Sequence, residues 1–210
     1  PPNPLARCLR PPPVALDTTP LHFGLHAVRP LTFQPVRLRS RSRCCNSLIE
    51  HHHHRPLGYT RPVGEHLNRK YLVQAGARPS AALAWSSAPR HRGCRDRFIG
   101  WSAAARRQNL RFLAYNLRSS VLILPLAEIP HLASHLLGCT ARWVPQDWTR
   151  LDGQPVYFLE TCSAPQRCRG TGYRAVNRIY LGRTIGRGKN LDQPTQPTQP
   201  TNRCIDKVLR

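Results

Sequence analysis

Residues 71–86, YLVQAGARPSAALAWS, contain two short apolar runs on either side of a turn segment. The runs lie at 71–75 and 80–86, and Gly76 and Pro79 fall between the first run and the second. Apolar runs of this length around a glycine- and proline-containing turn are typical of a β-hairpin. We therefore predict two antiparallel strands here and extend the interpretation outward from them.

Helix and strand signals alternate downstream of this hairpin. Ser102 precedes AAARRQNLRFLAYN, residues 103–116, and is the expected N-cap of a basic amphipathic helix. Pro130, at a first helical position, predicts a second helix over residues 131–143. Apolar runs predict three more strands, at 120–124, 155–161 and 179–184. A mixed segment at 167–178 predicts a short helix before the last of these strands. This order predicts an α/β (α+β) fold with a single mixed sheet and flanking helices.

The two ends of the chain carry weaker patterns. Residues 1–46 are dense in Pro, Arg, Ser and Cys, so we interpret them as disordered or as translated out of frame. Residues 190–210 begin with a threefold QPT repeat, which predicts an extended, disordered low-complexity tail. The folded domain is therefore expected over 47–189. The 210 residues include no methionine, which favours a fragment or a translation whose start is missing.

The charge balance indicates a polyanionic partner. The chain has 32 Lys and Arg against 10 Asp and Glu, a net charge of +22, and only Lys70, Lys189 and Lys207 are lysines. Guanidinium groups bind phosphate bidentately, so an arginine-rich excess favours DNA or another nucleic acid. The alternative is compositional, because GC-rich coding raises Arg, Pro, Ala and Gly together. No apolar run is long enough for a transmembrane helix, and we expect a cytoplasmic protein without a membrane partner.

Two basic stretches supply the expected phosphate contacts. The first is the predicted helix after Ser102, next to Trp101, which we expect to help shape the site. The second covers residues 169–189, where small residues let backbone amides approach an anion and Tyr173 is expected to stack on a base. A glycine-rich loop with merely solvated charges is the alternative for this second stretch. The expected contacts are Arg106, Arg107, Arg111, Arg169, Gly170, Thr171, Tyr173, Asn177, Arg183, Thr184, Arg187 and Lys189.

Signals for catalysis and for metal binding are weak. The eight cysteines include no C-x-x-C pair, so we predict no metal site. Neither a G-x-S-x-G elbow nor the G-K-[ST] ending of a Walker loop is present. Glu160 ends the apolar run PVYFLE and is a candidate general base, with Arg169 and Tyr173 as further catalytic candidates. The alternative is that Glu160 is simply the ion-pair partner of a nearby arginine.

Several stretches resemble, in order and spacing, the bacterial DruA family. They include HHRPLGYTRPVGEHL (53–67), RDRFIGWSAAARRQNLRFLAYN (95–116) and RGTGYRAVNRIYLGRTIGRGK (169–189). The family is known as a component of the Druantia anti-phage system, and related proteins occur beside transposases. The resemblance covers about 48–189 and implies a nucleic-acid-binding component of a defence or mobile-element system, with other proteins of that system as further partners.

The order of strands and helices also resembles the GNAT (N-acyltransferase) fold. GNAT enzymes hold coenzyme A on a Q/R-x-x-G-x-G/A loop, whereas the corresponding stretch here, EIPHLAS (128–134), has no glycine and one proline. We therefore expect no cofactor. A transferase or nucleic-acid-modifying enzyme of GNAT-like fold is the first alternative. A decayed, non-functional copy is the second, because CSA, CRGTGY and VNR stand where the family has FVD, FRGTCY and ANW.

Overall fold

The chain has an α/β fold, a single mixed sheet with flanking helices, as the sequence predicts. A computed structural model describes residues 12–15, 24–37, 39–52, 69–116, 122–123, 129–163, 170–183 and 203–208. The strands are β1 (Leu31–Pro35), β2 (Arg69–Ala75), β3 (Arg78–Ser87), β4 (Leu113–Asn116), β5 (Leu122–Ile123), β6 (Phe158–Ser163), β7 (Ile179–Arg183) and β8 (Arg203–Val208). The helices are α1 (Arg39–His52), α2 (Gly93–Ile99), α3 (Ala103–Asn109), α4 (Leu132–Asp152) and α5 (Thr171–Arg174), and 3₁₀ turns lie at Leu25–Val28 and Leu110–Phe112.

The chain divides into two compact units. The first comprises residues 1–86 and 120–133, and the second comprises residues 87–119 and 134–210. In the first unit β1 and β2 pair antiparallel, β2 and β3 form the predicted hairpin, and β5 pairs antiparallel with β3. In the second unit β4 and β6 are parallel, while β8 pairs antiparallel with both β6 and β7.

The hairpin confirms the interpretation of residues 71–86. Its register runs from Arg69 opposite Trp85 to Ala75 opposite Arg78, and Gly76 supplies the positive φ of 59° that the turn requires. Residues 80–86 are all buried, as in a strand that is covered on both faces. The continuous apolar run in the sequence is therefore explained by burial rather than by alternation.

Helix α1 covers the hairpin of the first unit. Cys45 and Leu48 pack against Leu72 of β2 and Ala82 of β3 in one core cluster. Burial raises the pKa of the Cys45 thiol to about 12, so this cysteine is a neutral core residue at physiological pH.

Ordered elements also occur where we expected none. The turn at Leu25–Val28, β1 and the start of α1 lie within residues 1–46, and β8 lies within the expected tail. β1 and β8 are strands because they pair with β2 and with β6 and β7 respectively, and a sequence period does not report such long-range pairing. Among the α1 side chains whose burial is described, Cys45, Ser47 and Leu48 are buried and stand among Arg and Ser, so the segment lacks a lasting period.

The predicted helix over residues 103–116 is only half helical. Ser102 is its N-cap, as predicted, and its hydroxyl accepts a hydrogen bond from the Ala105 N–H at 3.1 Å. The helix ends at Asn109, and LAYN forms β4, in which Leu113 pairs with Phe158 of β6. Burial in the sheet therefore outweighs the helical spacing of the leucines.

Helix α4 is longer than predicted. It begins at Leu132, after His131 with its φ of 63°, and continues through Pro145 to Asp152. A buried stripe at spacings of four residues continues past the predicted end at residue 143; it consists of Leu132, Leu136, Thr140, Val144 and Trp148. The helices in the described part of the chain include none with the length and apolar character needed to cross a membrane.

Candidate anion-binding groove

The second unit is built around a buried arginine on α2. Arg95 has no exposed surface, and its guanidinium donates to Glu160 Oε2 at 3.1 Å and to Asp96 Oδ1 at 2.9 Å. It also donates to the backbone carbonyls of Pro89 at 2.9 Å and Arg90 at 3.3 Å. One buried side chain thus connects the central strand β6, helix α2 and the loop that precedes α2. A buried arginine is tolerated because its donors find both charged and neutral acceptors.

Glu160 lies within β6, opposite Tyr115 of β4, rather than at the strand end assumed from the sequence. It is fully buried, and its Oε1 lies 2.6 Å from Nε of Arg92. Burial raises the pKa of the Glu160 carboxyl, while Arg92 and Arg95 act in the opposite direction. Glu160 thus forms the ion pairs with nearby arginines that the sequence-based alternative expects, while its role as a general base stays a prediction.

Arg92 continues this buried cluster toward the other strands. Its guanidinium lies 5.0 Å from the centroid of the Tyr115 ring, and its Nη1 contacts the sulfur of Cys162. Cys162 and Cys94 form a small core against which Tyr115 and Leu181 pack. Burial raises the pKa of the Tyr115 phenol to about 12, so the ring remains neutral beneath the arginine.

A basic groove lies beside this cluster, between the loop before α2 and helix α3. Among the described residues its lining consists of Arg90, His91, Arg106, Arg107 and Leu110, and its volume is about 460 Å³. Asp96 Oδ2 accepts from Arg106 Nη1 at 3.0 Å, so Arg106 is held in place by the buried cluster. Arg90 and Arg107 are exposed, and within the described ranges neither side chain forms an ion pair.

The sequence comparison identifies the family. The model of the family described as Druantia protein DruA matches residues 25–193. The chain belongs to the DruA family. The match begins at the Leu25–Val28 turn, so β1 and α1 lie inside the DruA domain, in contrast to the boundary at residue 47 drawn from the sequence. No curated protein matches this DruA chain.

Comparison with solved structures supports the GNAT-like fold of this DruA chain. A spermidine N-acetyltransferase from Vibrio cholerae superposes with a TM-score of 0.53 at 11% identity, covering 85% of this chain and 94% of that one. FeeM, an N-acyl amino acid synthase from uncultured soil microbes, gives a TM-score of 0.53 at 10% identity, with 85% and 90% covered. Identities this low support the fold alone.

Two of the residues that we expect to bind phosphate line the groove, whereas Arg111 does not. Arg106 and Arg107 line it, whereas Arg111 is exposed on the following 3₁₀ turn with its guanidinium 4.8 Å from the Phe112 ring centroid. Trp101 lies beside the cluster instead, with its ring centroid 6.0 Å from the Arg95 guanidinium carbon. The predicted basic helix thus contributes its first half to the groove.

The second predicted stretch is only partly described. Tyr173 is 4% exposed and lies under the Arg178 guanidinium at 5.7 Å, so its ring cannot stack on a base in this conformation. Gly170, with a φ of 75°, precedes α5, and Thr171 begins that helix. Asn177 and Arg183 are exposed. Arg169, Thr184, Arg187 and Lys189 lie outside the described residues.

Sequence reasoning missed three groove residues and the arginine that supports them. Arg90 and His91 stand in a short basic run, RHR, which adds to the charge excess but matches no binding motif. Leu110 falls inside the helix predicted over residues 103–116, where an apolar residue indicates core packing rather than a binding site. Arg95 carries no signal of burial, because arginine is almost never fully buried unless it is paired. Its partner Glu160 is distant in sequence, so only the fold brings the two together.

Proposed function

We propose that this DruA-family chain is a nucleic-acid-binding component of a Druantia-type anti-phage system and that the groove between the loop before α2 and α3 contacts phosphate. The observation that carries the proposal is the groove lining of three arginines and one histidine, with no carboxylate in the described part of that lining. Guanidinium groups bind phosphate oxygens through bidentate, charge-assisted hydrogen bonds. If the chain instead belongs to a mobile-element system, we propose that the same groove contacts the nucleic acid of that element. The proposed protein partners are other components of the defence system or of the mobile element.

Binding rather than a reaction is proposed because the two catalytic candidates within the described residues, Glu160 and Tyr173, are enclosed. Glu160 is fully buried between two arginines, and Tyr173 is buried under Arg178. A general base must reach the proton that it removes, directly or through one water. The groove arginines, in contrast, are placed where a ligand can reach them.

The test measures how binding of a fluorescent oligonucleotide depends on salt. The wild-type affinity should fall steeply with NaCl, because phosphate contacts release counterions. Arg90→Gln and Arg107→Gln, each made as a single variant, should weaken binding and reduce the slope of log K against log salt by about 1. The matched control is Arg142→Gln, which removes an exposed arginine of α4 that does not belong to the groove lining.

The possible outcomes distinguish binding by the groove arginines from attraction by the net charge of the whole protein. Binding that is nearly independent of salt contradicts the proposal outright. If each single groove variant loses only as much affinity as the Arg142→Gln control, bulk charge rather than the groove attracts the nucleic acid. Circular dichroism of each variant checks that the fold is retained.

A further inference from the structure

We infer that the groove binds the terminal phosphate of a nucleic-acid strand rather than the phosphodiester backbone of a duplex. The inference rests on the proposed function and specifies which part of the nucleic acid enters the site. It depends on three properties of the groove: its shape, its charge and the way in which its two walls are held.

The shape of the groove is that of a pocket for a small ligand. Its volume of about 460 Å³ falls within the range of about 300–1,000 Å³ typical of small-molecule sites. A single nucleotide fits such a volume. The backbone of a duplex lies on a broad convex surface, which a concavity of this size does not match. Leu110 in the lining adds an apolar surface that suits a sugar or a base.

The charge of the groove matches a phosphate monoester better than a diester. Arg90, Arg106 and Arg107 present three guanidinium groups, and the carboxylate bound to one of them, Asp96, is shared with Arg95. A terminal phosphate carries a charge of about −1.5 to −2 near neutral pH and three strong acceptor oxygens. A diester within the chain carries a single charge. The hydrogen-bond donors of three guanidinium groups in one groove are therefore satisfied more fully by the phosphate at a strand end than by a diester.

The walls of the groove are fixed before any ligand binds. Arg95 donates to the carbonyls of Pro89 and Arg90 in one wall, and through Asp96 it also fixes Arg106 in the other wall. Since Arg95 is itself held on β6 by Glu160, both walls are attached to one strand of the sheet. Binding thus requires little ordering of the two walls and of Arg106, and only the exposed side chains of Arg90 and Arg107 remain to be ordered by the ligand.

The experiment compares single-stranded oligonucleotides of one sequence that differ only at their ends. One carries a 5′-phosphate, one a 3′-phosphate and one hydroxyl groups at both ends, and binding is followed by fluorescence anisotropy. We expect at least one phosphorylated strand to bind about tenfold more tightly than the hydroxyl-ended strand. Competition by nucleoside 5′-monophosphate against nucleoside 3′-monophosphate then identifies which end is recognised.

Variants of the two α3 arginines link the preference to the groove. Arg107→Gln, which removes an exposed side chain, and Arg106→Gln should each reduce the preference, while Arg142→Gln should retain it. Equal wild-type affinity for phosphorylated and hydroxyl-ended strands overturns the inference. So does a preference that survives both α3 variants, or competition by inorganic phosphate that equals competition by the nucleotides.

The proposed function and this inference fail in different ways. If all three strands bind equally, and with a steep dependence on salt, the protein is a nucleic-acid-binding protein and only the terminal-phosphate inference is wrong. If none of the strands binds and a nucleoside monophosphate does, both are wrong, and the groove is a site for free nucleotides.

Discussion

A single side chain, Arg95, connects strand β6, helix α2 and the loop before α2 in the second unit. It is fully buried, and its donors reach a carboxylate on β6, a carboxylate on its own helix and two backbone carbonyls. Desolvation of a guanidinium is costly, so such a residue persists only where its partners are complete. Its importance is therefore both structural and functional, because the same bonds that satisfy it also hold the groove.

The first prediction concerns the stability that Arg95 confers. Arg95→Met should lower the free energy of unfolding by about 3–5 kcal/mol, because it leaves Glu160 buried with one fewer positive partner. The control is Arg150→Met, which also removes an arginine paired with a buried carboxylate, Asp147. Because 64% of the Arg150 side chain is exposed, its removal should cost less than about 1 kcal/mol.

Urea unfolding monitored by circular dichroism measures both variants. Similar losses of unfolding free energy for Arg95→Met and Arg150→Met would show that burial of the guanidinium does not determine how much an arginine–carboxylate pair stabilises the fold. A stable Arg95→Met variant that no longer binds oligonucleotide would show instead that Arg95 positions the groove without stabilising the fold.

At the scale of elements, the sequence predicts well the turns and caps that depend on neighbouring residues. It predicts poorly the strands that depend on pairing with distant segments. The hairpin at 71–86 and the Ser102 cap depend on neighbouring residues, and both are confirmed. The residues of β4 fall inside a predicted helix, because nothing in LAYN indicates that β6, more than forty residues away, pairs with it. β1 and β8 were missed for the same reason. The candidate site was predicted in part, since basic composition indicates Arg106 and Arg107 while the supporting Arg95 and Glu160 meet only in the fold.

The second prediction tests helix α3 as the carrier of the groove arginines. Ser102→Ala removes the hydroxyl that accepts from the Ala105 N–H, and loss of such a cap costs about 0.5–2 kcal/mol. Because α3 is only seven residues long and holds Arg106 and Arg107, we expect weaker oligonucleotide binding as well. Ser102→Asn is the control, since asparagine caps helices about as well as serine. If Ser102→Asn loses as much affinity as Ser102→Ala, the cap is not what positions the arginines.

At the scale of the whole molecule, the net charge of +22 acts against folding and in favour of binding. Compaction brings like charges together, so the folded state is destabilised by self-repulsion that a polyanion relieves. The 10 acidic residues are already counted in this net charge, so ion pairs with the 32 basic residues leave the excess of +22 in place. Folding and nucleic-acid binding should consequently respond to salt in opposite directions.

The third prediction compares how the melting temperature and the affinity for oligonucleotide change as NaCl is raised. Raising NaCl from about 0.01 M to about 0.15 M shortens the Debye length from about 30 Å to about 8 Å, which screens repulsion across the molecule. The melting temperature of the free protein should therefore rise, by about 2–4 °C for each kcal/mol of relieved repulsion in a chain of this size. Over the same range the affinity for oligonucleotide should fall, because the release of counterions from the phosphates is less favourable when the salt concentration is already high. A melting temperature that falls with NaCl would mean that attractive pairs such as Arg106–Asp96 outweigh the net repulsion, and the charge excess would then be neutral for folding.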